Sequence, residues 1–138
     1  MENNDIKSVL NLERLVFDKI EFNRLGFQND NHMKYQLETS VGKHNDNDIY
    51  RVTLVLKGVK EREYTFEISL TGFFSFRDAE SLTEEARSHL ININTISILM
   101  PYLRSQVSLL TAQPGMECVV LPPFNINKIV DSDDSEQV

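Results

Sequence analysis

The sequence predicts an α+β fold: a four-stranded antiparallel sheet followed by a long helix and a short C-terminal helix. Three observations carry that expectation. Apolar and polar residues alternate with period two through the first half of the chain, up to Leu70. From Ala86 to Leu110 the apolar residues recur instead in steps of three and four. The segments joining the alternating stretches are short, polar and carry Gly, Asn and Asp, which favours an antiparallel meander. A length of 138 residues suits one domain, assigned to residues 1–130.

The first strand is Leu12 to Phe22, LERLVFDKIEF. Its apolar phase slips between Phe17 and Ile20, as expected of a bulge that turns the strand from one face to the other. NRLGFQNDN follows as a loop. In MKYQLETSV, the second strand, Met33, Tyr35, Leu37 and Val41 share a face opposite Lys34, Gln36 and Glu38. After the turn GKHNDND, the third strand IYRVTLVLKG places Tyr50, Val52, Leu54 and Leu56 on one side. The fourth alternates most cleanly, with Tyr64, Phe66, Ile68 and Leu70 against Glu63, Thr65, Glu67 and Ser69. Gly72 ends that alternation beside Phe73, Phe74 and Phe76, which read as buried.

SLTE then forms a capping box, with Ser81 as N-cap and Glu84 reaching back. The helix beyond it carries Ala86, Leu90, Ile93, Ile96, Met100, Leu103, Val107 and Leu110 on one face. Ile91, Ile98, Tyr102 and Leu109 widen that stripe beyond what one sheet needs. Unbroken to Thr111, the helix would be roughly 40 Å long. Its surplus apolar surface implies an oligomer in which helices pack between sheets. Pro101 lies inside the helix and reads as a kink over the sheet. Pro114-Gly115 ends the helix, and an extended segment leads to Pro122-Pro123. FNINKIV then makes a short helical turn or two, and DSDDSEQV, residues 131–138, is an acidic tail too polar to fold.

A net charge of −7 excludes a nucleic-acid partner of the usual basic kind. The nearest approach to a basic cluster, Lys57, Lys60 and Arg62, has Glu61 and Glu63 interleaved and reads as a solvated turn. Cys118 is the only cysteine, so there is no disulfide framework; set in MECVVLP, it reads as a buried small hydrophobe. No apolar run reaches the ~20 residues of a membrane span, and the N-terminus lacks a signal peptide's apolar core. A reducing cytoplasm fits best. His32, His44 and His89 have no metal-ligand spacing, and Asp46 and Asp48 fit a hairpin turn better than a calcium loop. Glu84 and Glu85 point apart on a helix. No catalytic constellation, metal site or cofactor loop is present, so an enzyme is the weakest reading.

From Leu12 to Val130 the chain resembles the SecB family of bacterial protein-export chaperones. The most specific match is Ile98-Leu99-Met100-Pro101-Tyr102 with Arg104, similar to the family's ILFPY.R helix motif. Gly72 followed by Phe74 matches where the last strand leaves the sheet. Leu121, Pro123, Asn125, Ile126 and Asn127 follow a third pattern, and Asp48-Ile49-Tyr50 matches the start of the third strand. The resemblance implies a homotetramer, a dimer of dimers with long helices between two eight-stranded sheets. Leu90, Ile93, Ile96 and Met100 are then expected at the oligomer interface, and Pro101, Tyr102 and Arg104 have a structural role at the helix bend.

The resemblance also implies an ATP-independent holdase that keeps preproteins unfolded for export and hands them to SecA. By position its client groove takes in Phe27, Met33, Tyr35 and Leu37, with Leu103, Val107 and Leu110 of the helix. The same helix residues read first as core or subunit interface and only second as client contacts. Glu67 matches an acidic SecA-docking position, whereas Lys19 and Asn23 stand where the family is acidic. These departures motivate an alternative, a SecB-like chaperone dedicated to one client, such as the antitoxin of a toxin–antitoxin system. A second alternative, from another class, is a non-chaperone scaffold or regulatory subunit that keeps the fold with filled grooves.

Overall fold

Strands β1 (Leu10–Arg24), β2 (Met33–Lys43), β3 (Tyr50–Lys60) and β4 (Tyr64–Phe76) form one antiparallel sheet in the computed structural model. The structure describes residues 9–28, 32–43, 48–77 and 82–124. The order across the sheet is β1-β4-β3-β2. This corrects the expected meander: β2, β3 and β4 follow one another, but β1 joins β4 and closes a Greek-key arrangement. The chain leaving β1 must therefore cross the end of the β3–β4 hairpin to reach β2. Leu25 N and Gly26 N both donate to Glu63 O there, at 2.8 and 3.2 Å. A Cβ on Gly26 would lie 2.4 Å from Arg62 O, so only glycine lets the crossing chain lie this close. Arg62 itself has φ +66°, in the turn it shares with Glu63.

β1 holds two irregularities, between Leu12 and Arg14 and between Phe17 and Lys19. The second is the phase slip legible in the sequence. Its effect is the opposite of the one expected: each inserted residue resets the alternation. Leu12, Leu15, Phe17, Ile20 and Phe22 therefore all lie opposite residues on one face of β4. β4 does not stop at Gly72 but continues to Phe76, with Phe74 fully buried and Phe73 and Phe76 half-buried.

One helical stretch packs on one face of the sheet. It starts as α1 (Glu84–His89), passes through a π-helical turn at Leu90–Asn94, and continues as α2 (Thr95–Thr111). The N-cap is Thr83, whose Oγ1 accepts from Ala86 N at 3.1 Å; Ser81, expected in that role, lies outside the described residues. α2 stays helical through Pro101, which is exposed, and the departure from α geometry falls earlier, at the π turn. Thr95, buried just after that turn, donates its hydroxyl to Ile91 O. Leu99 is fully buried over Gly72 and Phe74.

Beyond Thr111 the chain turns at Gln113–Met116, with Gly115 at φ +79°, and runs back along α2 in extended form. Leu121 enters the core. The expected C-terminal helix and acidic tail lie outside the described residues. Cys118 is exposed, not buried as its neighbours suggested; its Sγ donates to Ser108 O at 3.4 Å.

Candidate functional site: an open apolar margin around a sealed centre

A helix with its side chains is about 10–12 Å across, whereas four strands about 4.8 Å apart span roughly 15 Å between outer axes. One helix cannot cover all four. α2 lies over β3 and β4, and there Val52, Leu54, Leu56, Tyr64, Ile68, Leu70 and Phe74 are almost completely buried. The outer strands are not sealed. Leu12, Leu15, Phe17 and Phe22 of β1, and Met33, Tyr35 and Leu37 of β2, are only half-buried on the same face. Ile20 is 47% exposed, and Val41 is also open.

The residues expected to bind clients divide along this boundary. Phe27 is 91% exposed at the crossing between β1 and β2, with the Arg24 guanidinium 5.7 Å from its ring. Met33, Tyr35 and Leu37 line the β2 margin, and Leu110 is half-buried at the end of α2. Leu103 and Val107 have no exposure at all, which corrects their expected place in an accessible groove: they face the sheet as core. Ile96 and Met100, expected between copies, likewise pack inside their own chain, while Leu90 and Ile93 stay half-buried. Of the surplus apolar residues, Ile91 is buried; Ile98 is half-buried, Tyr102 is 45% exposed and Leu109 is 70% exposed. Their spacing places these three on one outward stripe of α2. Arg104 is exposed on the same helix.

The crossing end of the sheet carries a second feature that periodicity did not reveal. Lys60 Nζ and Glu63 Oε2 are 2.8 Å apart and both side chains are nearly buried. The basic cluster read as a solvated turn is thus partly an interior ion pair. Beside it, the Tyr64 hydroxyl is buried without a hydrogen-bond partner among the described residues. Burial pushes its pKa up to about 12, with Glu63 and Tyr35 adding and Arg24 opposing. Burial also lifts the Tyr35 hydroxyl above the ordinary tyrosine range. Arg24 lies over the rings of Phe22, Phe27 and Tyr64, so this end of the sheet is aromatic and cationic together.

The opposite face of the sheet is polar. Glu67 stands between Lys19, 3.3 Å from it, and Lys57 on β3; Lys19 also holds Glu21 at 3.4 Å. The Lys19 ammonium titrates above its ordinary value, first because Glu67 hydrogen-bonds it and then because Glu21 does. The Glu21 carboxyl is held below the usual range by the Asn23 amide and then by Lys19. The two residues that depart from the acidic pattern, Lys19 and Asn23, are thus the ones that engage Glu67 and Glu21. Further along, Thr71 donates to Asp18, and the Thr71 and Thr53 hydroxyls lie 2.9 Å apart.

Among the described residues no three His, Cys, Asp or Glu side chains come together to hold a metal, and no helix is long and apolar enough to cross a membrane. Asp48 is within 3.5 Å of Lys43, while Asp46 lies outside the described residues.

Comparison with known proteins bears on this arrangement. The family model described as SecB, preprotein translocase subunit SecB, matches residues 14–137. An uncharacterized protein of Methanocaldococcus jannaschii is 27% identical over 115 residues, covering 80% of this chain and 68% of the relative. Among solved structures, the SecB-like chaperone Rv1957 of Mycobacterium tuberculosis, in complex with a ChAD peptide from the antitoxin HigA1, superposes with a TM-score of 0.69. The identity is 14%, over 84% of this chain and 88% of that one.

Proposed function

The chain belongs to the SecB family, and from that premise we propose that it is an ATP-independent holdase that captures unfolded polypeptides for export on the apolar margin its helix leaves open. The observation that carries the reading is the contrast between a sealed centre and an incompletely covered rim: Phe27 is almost wholly in solvent, and Met33, Tyr35 and Leu37 are only half-buried. Contacts along such a rim are individually weak and nonspecific. Repeated over several subunits, they hold one long chain tightly through effective concentration. The outward stripe of Ile98, Tyr102 and Leu109 supplies the surface for assembly into a homotetramer, which sedimentation of the Tyr102→Ser/Leu109→Ser protein would test by a shift to smaller species. No reaction and no cofactor is needed, and the cytoplasm is the proposed compartment. In an aggregation assay without nucleotide, the protein is expected to keep an unfolded preprotein in solution. Failure to bind any unfolded chain at micromolar concentration overturns the reading.

A second reading, a chaperone dedicated to one client, is favoured by the outer face. The carboxylate of Glu67, the proposed SecA-docking residue, is engaged by Lys19, and Glu21 opposite it is engaged too. A SecA partner would meet a largely neutralised surface. The structural neighbour's bound antitoxin peptide supports the same reading. A pull-down offering SecA and unfolded clients side by side separates the two: retention of SecA favours the export holdase, and a narrow client list without SecA favours the dedicated chaperone. The scaffold reading expects Phe27, Tyr35 and the outer helix residues to be sealed together: Leu103 and Val107 are buried, Tyr35 and Leu110 are half-buried, and Phe27 is open.

A further inference from the structure

The rim along β2 is not empty. The chain's own segment from Cys118 to Phe124 lies between the end of α2 and this strand. Ser108 Oγ donates to Val119 O at 3.0 Å, and Val119 N donates to Thr111 Oγ1 at 2.8 Å. Thr111 is itself fully buried, with its hydroxyl donating to Val107 O at 2.9 Å, so the helix end is built to receive a main-chain N–H. Past that latch the side chains alternate: Val119 inward, Val120 79% exposed, Leu121 inward and only 3% exposed. Pro122 and Pro123 point outward, and Phe124 returns to meet Tyr35 edge-on, with ring centroids 6.2 Å apart.

The manner of attachment is unusual for a core segment. Among the described residues of this segment, Val119 alone has its main chain hydrogen-bonded, and both bonds go to side chains of α2. No ladder ties the segment to β2, and the two prolines have no N–H with which to form one. It is held by two apolar anchors and a side-chain latch, which is how an extended foreign chain would be held.

We propose that residues 118–124 are a resident stand-in for the client: they occupy the β2 end of the binding groove, and a client enters by displacing them. The segment also states the chemistry the groove accepts. It is uncharged and extended, with an aliphatic side chain followed three residues later by an aromatic ring, as Leu121 is by Phe124. Tyr35 is the partner for that ring, and the buried site of Leu121 takes the aliphatic group. This inference rests on the holdase reading and adds competition within the chain to it.

Two measurements on full-length protein test it, with reduced, carboxymethylated α-lactalbumin as a permanently unfolded client. In the unaltered protein, saturating client should accelerate hydrogen exchange at the Val119 amide, because the bond to Thr111 is released. In the Leu121→Ser/Phe124→Ala protein the client should bind about fivefold tighter or more, since apparent affinity rises as the competent fraction rises. A peptide with the sequence of residues 117–124 should compete with the client for the unaltered protein. Unchanged exchange at Val119 with client bound overturns the inference, and so does weaker binding by the double variant, which would make the segment a wall of the site. If neither protein binds the unfolded chain, the holdase reading falls and this inference with it. If both bind equally, only the displacement falls.

Discussion

The central and outer strands of this sheet are built from the same residue types but meet different fates. β3 and β4 carry Val, Leu, Ile and Phe on the face that α2 covers, and those residues lose nearly all contact with water. β1 and β2 carry Leu, Phe, Met and Tyr on the same face, and most of these are only partly buried. Composition does not separate the two regions; the width of one helix does. Stability is therefore concentrated in the centre, and the margin is apolar surface available for binding at little cost to the fold.

The contrast can be broken by substitution. The largest effect is expected from Leu99→Ala, which opens a cavity under α2 and should cost about 3–4 kcal/mol in urea unfolding. Leu37→Ala on the margin should cost about 1 kcal/mol, having less burial to lose. Equal costs would end the distinction. A paired glycine experiment sharpens it. A Cβ at Gly58, on central β3, would lie 2.3 Å from the Phe66 ring, so Gly58→Ala should destabilise by about 2 kcal/mol. At Gly42, on outer β2, the nearest atom is the end of the flexible Arg51 side chain at 3.6 Å, and the same change should stay within about 0.5 kcal/mol.

Tyr64 probes the boundary between the regions. Removing its unpartnered hydroxyl in Tyr64→Phe should stabilise the fold by about 1 kcal/mol. The pH sign follows from the raised pKa. The fold favours the neutral phenol, so stability is intact below pH 10.0 and falls as pH rises from there to about 12. Tyrosinate absorbance should therefore show one late-titrating group, absent in the Phe variant. The smallest effect is expected on the wet face. Lys19→Met should leave stability nearly unchanged, because its ion pairs lie on the solvent face of the sheet, yet shift the Glu21 titration upward by nuclear magnetic resonance.

Much of this molecule was legible in its sequence. All four strands follow from alternation, and the slip between Phe17 and Ile20 marked a true bulge. Of the four residues read as surplus, Ile98, Tyr102 and Leu109 keep solvent access, whereas Ile91 is buried within its own chain. Strand order was not legible, because pairing β1 with β4 depends on Gly26 fitting against Arg62 O, a contact remote in sequence. Within the candidate site, Phe27, Met33, Tyr35 and Leu37 keep solvent access. Leu103 and Val107 do not, since helical periodicity gives the apolar face but not which of its residues a sheet will cover. The latch at Ser108 and Thr111 left no trace in hydropathy, both residues being small hydroxyls on an apolar helix.

The position of β1 beside β4 has a consequence for how the protein is made. β2, β3 and β4 can zip in succession as each hairpin closes. β1 leaves the ribosome before them and has no neighbour until the final strand exists; Glu13 finds its partner, Ser75, 62 residues downstream. Closing so long a loop comes late on entropic grounds. During synthesis this chain is itself a nascent polypeptide holding an unpaired, greasy ribbon, the kind of cargo the proposed holdase would take.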